Sequence, residues 1–192
     1  MTKNDEIFVS VDVEADGPIP GPHSMLSFGA VSFQVKTGGN WNRFWDFSAN
    51  LDTLPGASGD PKTMEWWSKR PEAWAKARAD ARPPEEVMKD FTEWLESLPG
   101  KPVFVGWPAT WDFMFIFWYL IKFTGKSPFS HSGLCLKSIA SDRLGLPFRN
   151  TGKRNLPKEW FAGCPKHNHE ALTDAEEQGI LWMNMLQQKG QP

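Results

Sequence analysis

A short apolar strand that ends in two acids places the tightest constraint on how this chain can fold. Residues 7–11 (IFVSV) are rich in β-branched and apolar residues, as expected of a buried strand, and Asp12 and Glu14 follow at its end. Alternation along a strand puts both carboxylates on one face, about 7 Å apart along the chain. Buried acids are costly unless something pairs them. Two interpretations therefore stand: a metal site, or a strand end at which the acids meet water.

The composition is that of an ordinary globular chain and excludes several classes of protein. The 192 residues suit one domain spanning 1–192. A net charge of −2 gives no general attraction for polyanions, so nucleic-acid binding needs a local basic patch or a metal. There are only two cysteines, no visible signal peptide, and no apolar run long enough to span a membrane. We therefore expect a cytoplasmic protein that does not engage membranes.

The order of predicted elements indicates an α/β layer fold with the first strand in the centre of the sheet. The sequence predicts a three-strand antiparallel meander formed by residues 7–11, 25–35 and 41–49, with a turn over residues 37–40. The remaining predicted elements are short helices within 61–74, an amphipathic helix opened by Pro83 and Pro84, a strand at 102–107, an apolar helix containing 113–121, a short strand and helix over 134–146, and a last helix from His169 or Ala171. Residues 147–168 are expected to be irregular.

Three more polar residues stand where predicted helices begin. Asp112 opens the helix that follows the fourth strand, and α/β sheets bind ligands at such strand ends. An acid near a helix N-terminus is also favourable by itself, so both interpretations hold for Asp112. His169 and Asp174 flank the start of the last helix and can point towards the same end of the sheet. The alternative is an exposed histidine and an acid on the helix surface.

Taken in order, these residues resemble a known family. The segment 12–17 (DVEADG) looks like the first motif of the DEDDh 3′→5′ exonucleases, which belong to the DnaQ-like/RNase T superfamily on the ribonuclease H-like fold. Asp112 is similar to the acid of the second motif, and residues 169–175 (HEALTDA) to the third. The resemblance covers nearly the whole chain, because the element order also agrees. The run 106–113 (GWPATWDF) departs from the family, which often has an Asn and a Phe ahead of the second acid.

The resemblance implies a mixed sheet flanked by helices and a two-metal nuclease site. Asp12, Glu14, Asp112 and Asp174 would bind two Mg²⁺ or Mn²⁺ ions, which prefer oxygen ligands. His169 would act as general base on the attacking water. The enzyme would cut single-stranded RNA or DNA from the 3′ end and release nucleoside 5′-monophosphates.

Substrate contacts are expected from two places along the chain. By resemblance, Ala15, Asp16 and Gly17 would cradle the terminal 3′-hydroxyl. Phe28 is placed to stack on the terminal base, or else it is a core residue of the second strand. The basic loop 148–158 either tracks phosphates or is a solvated loop.

Other functions remain open from the sequence. A catalytically idle nucleic-acid-binding domain on the same fold is one alternative. Cys164, His167 and His169 have the spacing of a zinc site, in this fold or in a metallohydrolase of another fold, although a fourth ligand is not evident. The Trp-rich segment 63–74 has no assigned role beyond packing or stacking on a nucleic-acid end. The oligomeric state is open, with a homodimer as a candidate.

Overall fold

A five-stranded mixed sheet lies at the centre of the computed structural model, which describes residues 5–36 and 40–188. The strands are β1 (Glu6–Ala15), β2 (Met25–Val35), β3 (Trp41–Asn50), β4 (Lys101–Gly106) and β5 (Gly133–Cys135), in the order β3-β2-β1-β4-β5. The first three pair antiparallel, while β4 runs parallel to both β1 and β5. The predicted meander, with the first strand in the centre, is therefore confirmed. Most of the predicted turn at 37–40 lies outside the described residues.

Six α-helices surround this sheet within the described ranges. They are α1 (Pro61–Ser68), α2 (Pro71–Arg78), α3 (Pro84–Ser97), α4 (Ala109–Thr124), α5 (Leu136–Leu144) and α6 (Ala171–Gln187). Between α5 and α6 the chain forms three short 3₁₀ turns, in keeping with the irregular segment predicted there. Of the helices in the described part of the chain, none is long and apolar enough to cross a membrane.

Alternation along β1 gives the sheet two different faces. Ile7, Val9, Val11 and Val13 join the larger core with α3 and α4, including Phe91 of α3. The opposite face packs against α6 through a second core that contains Phe33, Leu181 and Met183. Because side chains of a strand alternate, the even-numbered residues of β1 face α6. This is the face on which polar residues of β1 and α6 meet.

The N-terminal end of α6 lies so close to β2 that one strand position admits no side chain. A Cβ built at Gly29 would lie 2.3 Å from Cα and 2.4 Å from the backbone nitrogen of Leu172. Backbone atoms at this distance can move apart only if the whole helix shifts. Gly29 therefore sets the distance between α6 and the sheet, and with it the position of the residues that α6 contributes to the β1 face.

We expect Gly29→Ala to lower the free energy of unfolding by about 1–3 kcal/mol, the usual cost of overpacking a well-packed contact. The matched control is Gly152→Ala, because a Cβ there meets no atom within 4 Å and the backbone φ of Gly152 is −96°. The control should change the free energy by about 0.5 kcal/mol or less. Urea unfolding of both variants tests this, and equal stabilities would contradict the close-contact account.

Candidate active site

Three acids from two distant parts of the chain converge beside β1. Asp12 and Glu14 lie on the α6 face of the strand, as the alternation predicts, and both are half-buried. Asp174 comes from the start of α6 and is 1% exposed. One carboxylate oxygen of each acid lies within 4.8 Å of the others. At this spacing the three carboxylates could share one cation.

The fourth predicted acid, Asp112, lines the same cleft from the opposite layer. It lies in the first turn of α4 and is 4% exposed. Its Oδ1 accepts a hydrogen bond from the backbone N–H of Val13 at 3.2 Å, so the start of α4 is tied to the acid-bearing strand. The structure thus places all four predicted acids on one cleft of about 510 Å³.

Backbone N–H groups orient Asp174. Its Oδ1 accepts from the N–H of Asn168 at 3.2 Å, and its Oδ2 accepts from the N–H of His169 at 3.1 Å. His167 Nδ1 lies 2.9 Å from Asp174 Oδ1. His169 has a left-handed backbone with φ of 60°, a conformation uncommon outside glycine and one that strained functional sites often contain. The loop before α6 therefore wraps around the carboxylate it precedes.

Gln178 is a site neighbour that sequence reasoning missed. Its Nε2 donates a 2.6 Å hydrogen bond to Asp12 Oδ1 and fixes that carboxylate from one helical turn beyond Asp174. The i, i+4 spacing of Asp174 and Gln178 on α6 was the available indication, because such residues share a helix face. Glu177, also buried, pairs with Lys153 of the irregular segment.

Burial and mutual repulsion disfavour the charged form of these carboxyls. Burial, followed by the charges of Asp12 and Asp174, raises the pKa of Glu14 to about 9. Burial is also the main cause that raises the pKa of Asp12, Asp112 and Asp174. Lys153 and Arg70 oppose these shifts but do not cancel them. The charged state of the cluster is therefore costly without a further positive charge nearby.

His169 stands at the wall of the cleft, held by aromatic contacts. Its ring meets the ring of Trp66 edge-on at 5.2 Å, and the Arg70 guanidinium lies 3.9 Å from the centre of the Trp66 ring. Burial, followed by the neighbouring His167, lowers the pKa of His169. A neutral imidazole can accept a proton, which is what a general base requires.

The Trp-rich segment separates into two parts in the structure. Trp66 lines the cleft, together with Trp107 and Trp111 from around the start of α4. Trp67 is 2% exposed, and its indole N–H donates to the carbonyl oxygen of Ala15 at 3.0 Å. Both tryptophans line the cleft, but Trp66 contacts His169 whereas Trp67 supports the end of β1.

The predicted substrate residues lie in different environments. Ala15 lines the cleft. Asp16 accepts a hydrogen bond from the N–H of Ser24 at 2.6 Å, which closes the loop after β1. A Cβ at Gly17 would lie 2.2 Å from the His23 ring, so this glycine makes room for His23. Phe28 is 1% exposed and packs on aromatic residues of the larger core, an environment that favours its core interpretation.

Cys164 stands apart from the two histidines that it was grouped with. Its Sγ lies 3.5 Å from the carbonyl oxygen of Glu177, and burial raises the pKa of the thiol to about 11. In the described part of the chain, the metal-compatible group that contains these histidines is His167, His169 and Asp174, with one ligand atom of each within 4.8 Å of the others. The three-residue zinc arrangement with Cys164 is therefore not formed.

We expect the metal-free protein to lose stability as pH rises. The unfolded chain releases the Glu14 proton near pH 4.5, whereas the folded protein keeps it until about pH 9. Between these values folding requires a proton, so this one group lowers the free energy of unfolding by up to about 1.4 kcal/mol per pH unit. Urea unfolding in EDTA at pH 5 and pH 8 measures the slope. Glu14→Gln should give a shallower slope, and equal slopes would contradict this account.

Comparison with known proteins adds independent information on this site. Residues 8–186 match the model of the 3′-5′ exoribonuclease Rv2179c-like domain. The chain is also 34% identical to the 3′-5′ DNA exonuclease Cap18 of Escherichia coli, over 95% of this chain and 92% of that protein.

Solved structures show the same architecture. The nuclease domain of 3′hExo, a DEDDh family member bound to rAMP, superimposes with a TM-score of 0.68 at 13% identity, covering 98% of this chain and 96% of that chain. Pop2p of S. pombe, in its Mg²⁺ and Mn²⁺ bound form, gives 0.64 at 13% identity over 93% and 82% of the two chains. The fold is therefore the ribonuclease H-like fold that the sequence resemblance implied. The chain belongs to the family of the 3′-5′ exoribonuclease Rv2179c-like domain.

Proposed function

We propose that Asp12, Glu14, Asp112 and Asp174 hold two divalent cations, Mg²⁺ or Mn²⁺, and that the enzyme hydrolyses single-stranded RNA or DNA from the 3′ end. The observation that carries this proposal is the convergence of buried carboxylates, three of them within 4.8 Å of one another. A donor set made only of carboxylate oxygens suits hard cations. Pop2p, which shares the fold, is a Mg²⁺ and Mn²⁺ bound protein and supports the choice of ions.

When bound, such cations activate water and stabilise charge on the reacting phosphate. His169 accepts the proton of the attacking water, and Trp66 holds its imidazole from the side. Gln178 keeps Asp12 turned towards the other acids. Departure of the 3′-oxygen of the preceding nucleotide releases a nucleoside 5′-monophosphate.

Two surfaces around the acids suit a single strand. Trp107 and Trp111 line the cleft and would stack on the terminal base, because base stacking on aromatic side chains tolerates any sequence, whereas Arg70 covers one face of Trp66. Ala15, Asp16 and Gly17 would form the floor beneath the 3′-hydroxyl. A second groove of about 420 Å³ shares His169 with the cleft and carries three basic residues, Lys69, Arg70 and Lys76. Glu72 and Glu170 line the same groove, and Lys69 and Lys76 form exposed ion pairs with Glu65 and Glu170. Exposed pairs of this kind are weak, so the phosphates of the preceding nucleotides would replace the carboxylates as partners of these cations.

The basic loop 148–158 is a weaker candidate for phosphate contacts. Lys153 pairs with the buried Glu177 and is thereby committed to the protein interior. Arg149, Arg154 and Lys158 remain exposed. The groove beside His169 is the preferred path because it adjoins the cleft, and because its ion pairs are more exposed to solvent than the pair of Lys153 with Glu177. We propose both RNA and DNA as substrates, since the matched family is named for RNA and the relative Cap18 for DNA.

Asp12→Asn and His169→Gln test the assignment of roles. Asp12→Asn should abolish degradation of end-labelled RNA and DNA oligomers in Mg²⁺ or Mn²⁺, because a ligand shared by the acid cluster is lost. His169→Gln should slow degradation by about 10²–10⁴-fold, the usual cost of a lost general base. EDTA should stop the wild-type reaction.

The matched controls are the exposed Asp142→Asn and His131→Gln, which lie outside the cleft. Both should degrade the oligomers at the wild-type rate. If Asp12→Asn kept near wild-type turnover, the cation assignment would be wrong.

We further propose a homodimer and a cytoplasmic setting. One side of α4 presents Phe113, Phe117 and Ile121 at intervals of four residues along an open apolar groove. A stripe of this kind can pair with its own copy about a two-fold axis. Sedimentation should give twice the 21.8 kDa chain mass, and Ile121→Asp should give the single-chain mass. A wild-type monomer would exclude the dimer.

Cys135 and Cys164 are both free thiols, which suits a reducing compartment.

A further inference from the structure

We propose that His167, His169 and Asp174 form a second metal site, which binds a borderline cation such as Zn²⁺ and inhibits the enzyme by occupying its general base. His167 Nδ1 is 2.9 Å from Asp174 Oδ1, and the two imidazole rings lie 4.6 Å apart at 79°. One ligand atom of each residue lies within 4.8 Å of the others. Ligands at about 2.0–2.2 Å from a tetrahedral zinc ion lie about 3.4 Å apart. Small rotations of the two rings therefore close the site.

The chemistry of the donors separates this site from the acid cluster. Two imidazole nitrogens and one carboxylate oxygen suit zinc, whereas Mg²⁺ prefers oxygen ligands and near-ideal octahedral geometry. Asp12 and Glu14 offer oxygen alone. Asp174 belongs to both groups, so the two kinds of cation meet at one shared carboxylate.

The histidine site is also accessible and well supported. The His167 side chain is 46% exposed, and both histidines line the cleft, so an ion can enter from solvent. Backbone N–H groups of Asn168 and His169 hold the Asp174 carboxylate, and Trp66 supports the His169 ring. Three protein ligands leave a fourth position for water, as in open zinc sites.

Inhibition follows from the identity of the ligands. A nitrogen lone pair that is bound to a cation cannot accept the proton of the attacking water. This consequence rests on the proposed role of His169, whereas zinc binding itself does not. Sharing of Asp174 should in addition weaken binding of cations to the acid cluster while zinc is present.

Calorimetric titration of Zn²⁺ into the metal-free protein tests the site directly. His167→Gln should lower the zinc affinity about tenfold or more. Mutation of a residue that only hydrogen-bonds to a metal ligand already lowers metal affinity by about 10- to 100-fold. His131→Gln removes an exposed histidine elsewhere, and Cys164→Ser removes a thiol that lies outside the group of three ligands. Both should bind zinc as the wild type does. Equal affinity in His167→Gln and wild type would place zinc in the acid cluster and overturn the proposal, as would a loss in Cys164→Ser.

A second experiment measures the exonuclease rate in saturating Mg²⁺ with and without Zn²⁺, and the rate with zinc is divided by the rate without it for each variant. This ratio should fall far below one for the wild type. At the same zinc concentration, the loss of activity should be about tenfold smaller for His167→Gln. Equal inhibition of both variants would overturn the inhibitory role. If every variant lacked nuclease activity, the proposed function would fail, while the calorimetric affinities would still decide the metal site.

Discussion

Four carboxyl groups gathered in a poorly solvated cleft repel one another, and the rest of the site is arranged around that repulsion. Asp112 and Asp174 are almost fully buried, and Asp12 and Glu14 expose only part of their side chains. Such a group is costly to keep charged without partners. The protein supplies some compensation through N–H donors, from Val13 to Asp112 and from the loop before α6 to Asp174. These hydrogen bonds orient the carboxylates but do not neutralise them, which is why we propose that a cation binds there.

The fold brings these groups together by a few close contacts between distant segments. Alternation turns Asp12 and Glu14 towards α6, and Gly29 lets α6 approach the sheet closely enough to add Asp174. Gln178 extends the contact by one helical turn, where it binds Asp12. A change in the distance between α6 and β2 would therefore alter the acids and the helix packing together. Stability and site geometry depend on the same contact.

The periodicity of apolar residues and the order of motifs along the sequence predicted a large part of this arrangement. The two-residue alternation of β1 predicted that Asp12 and Glu14 share one face of the strand. The order of the motifs, through the family resemblance, predicted that Asp112 and Asp174 lie in the same cleft. Contacts that depend on the path of a loop could not be predicted from the sequence. Trp66 and Trp67 are adjacent in sequence and both line the cleft, yet Trp66 contacts His169 while Trp67 donates a hydrogen bond to β1. Phe28 follows the first motif closely but faces the larger core, because strand alternation points it to the α3–α4 side.

Proton release on metal binding tests the central claim most directly. Carboxyls with raised pKa values hold protons in the metal-free protein and must lose them when a cation binds. Calorimetric titration of Mn²⁺ at pH 7.5, in two buffers with different ionisation enthalpies, counts those protons. We expect two Mn²⁺ ions per chain and release of at least one proton. Binding of Mn²⁺ with no proton release, or no binding at all, would contradict the view that these acids form the metal centre.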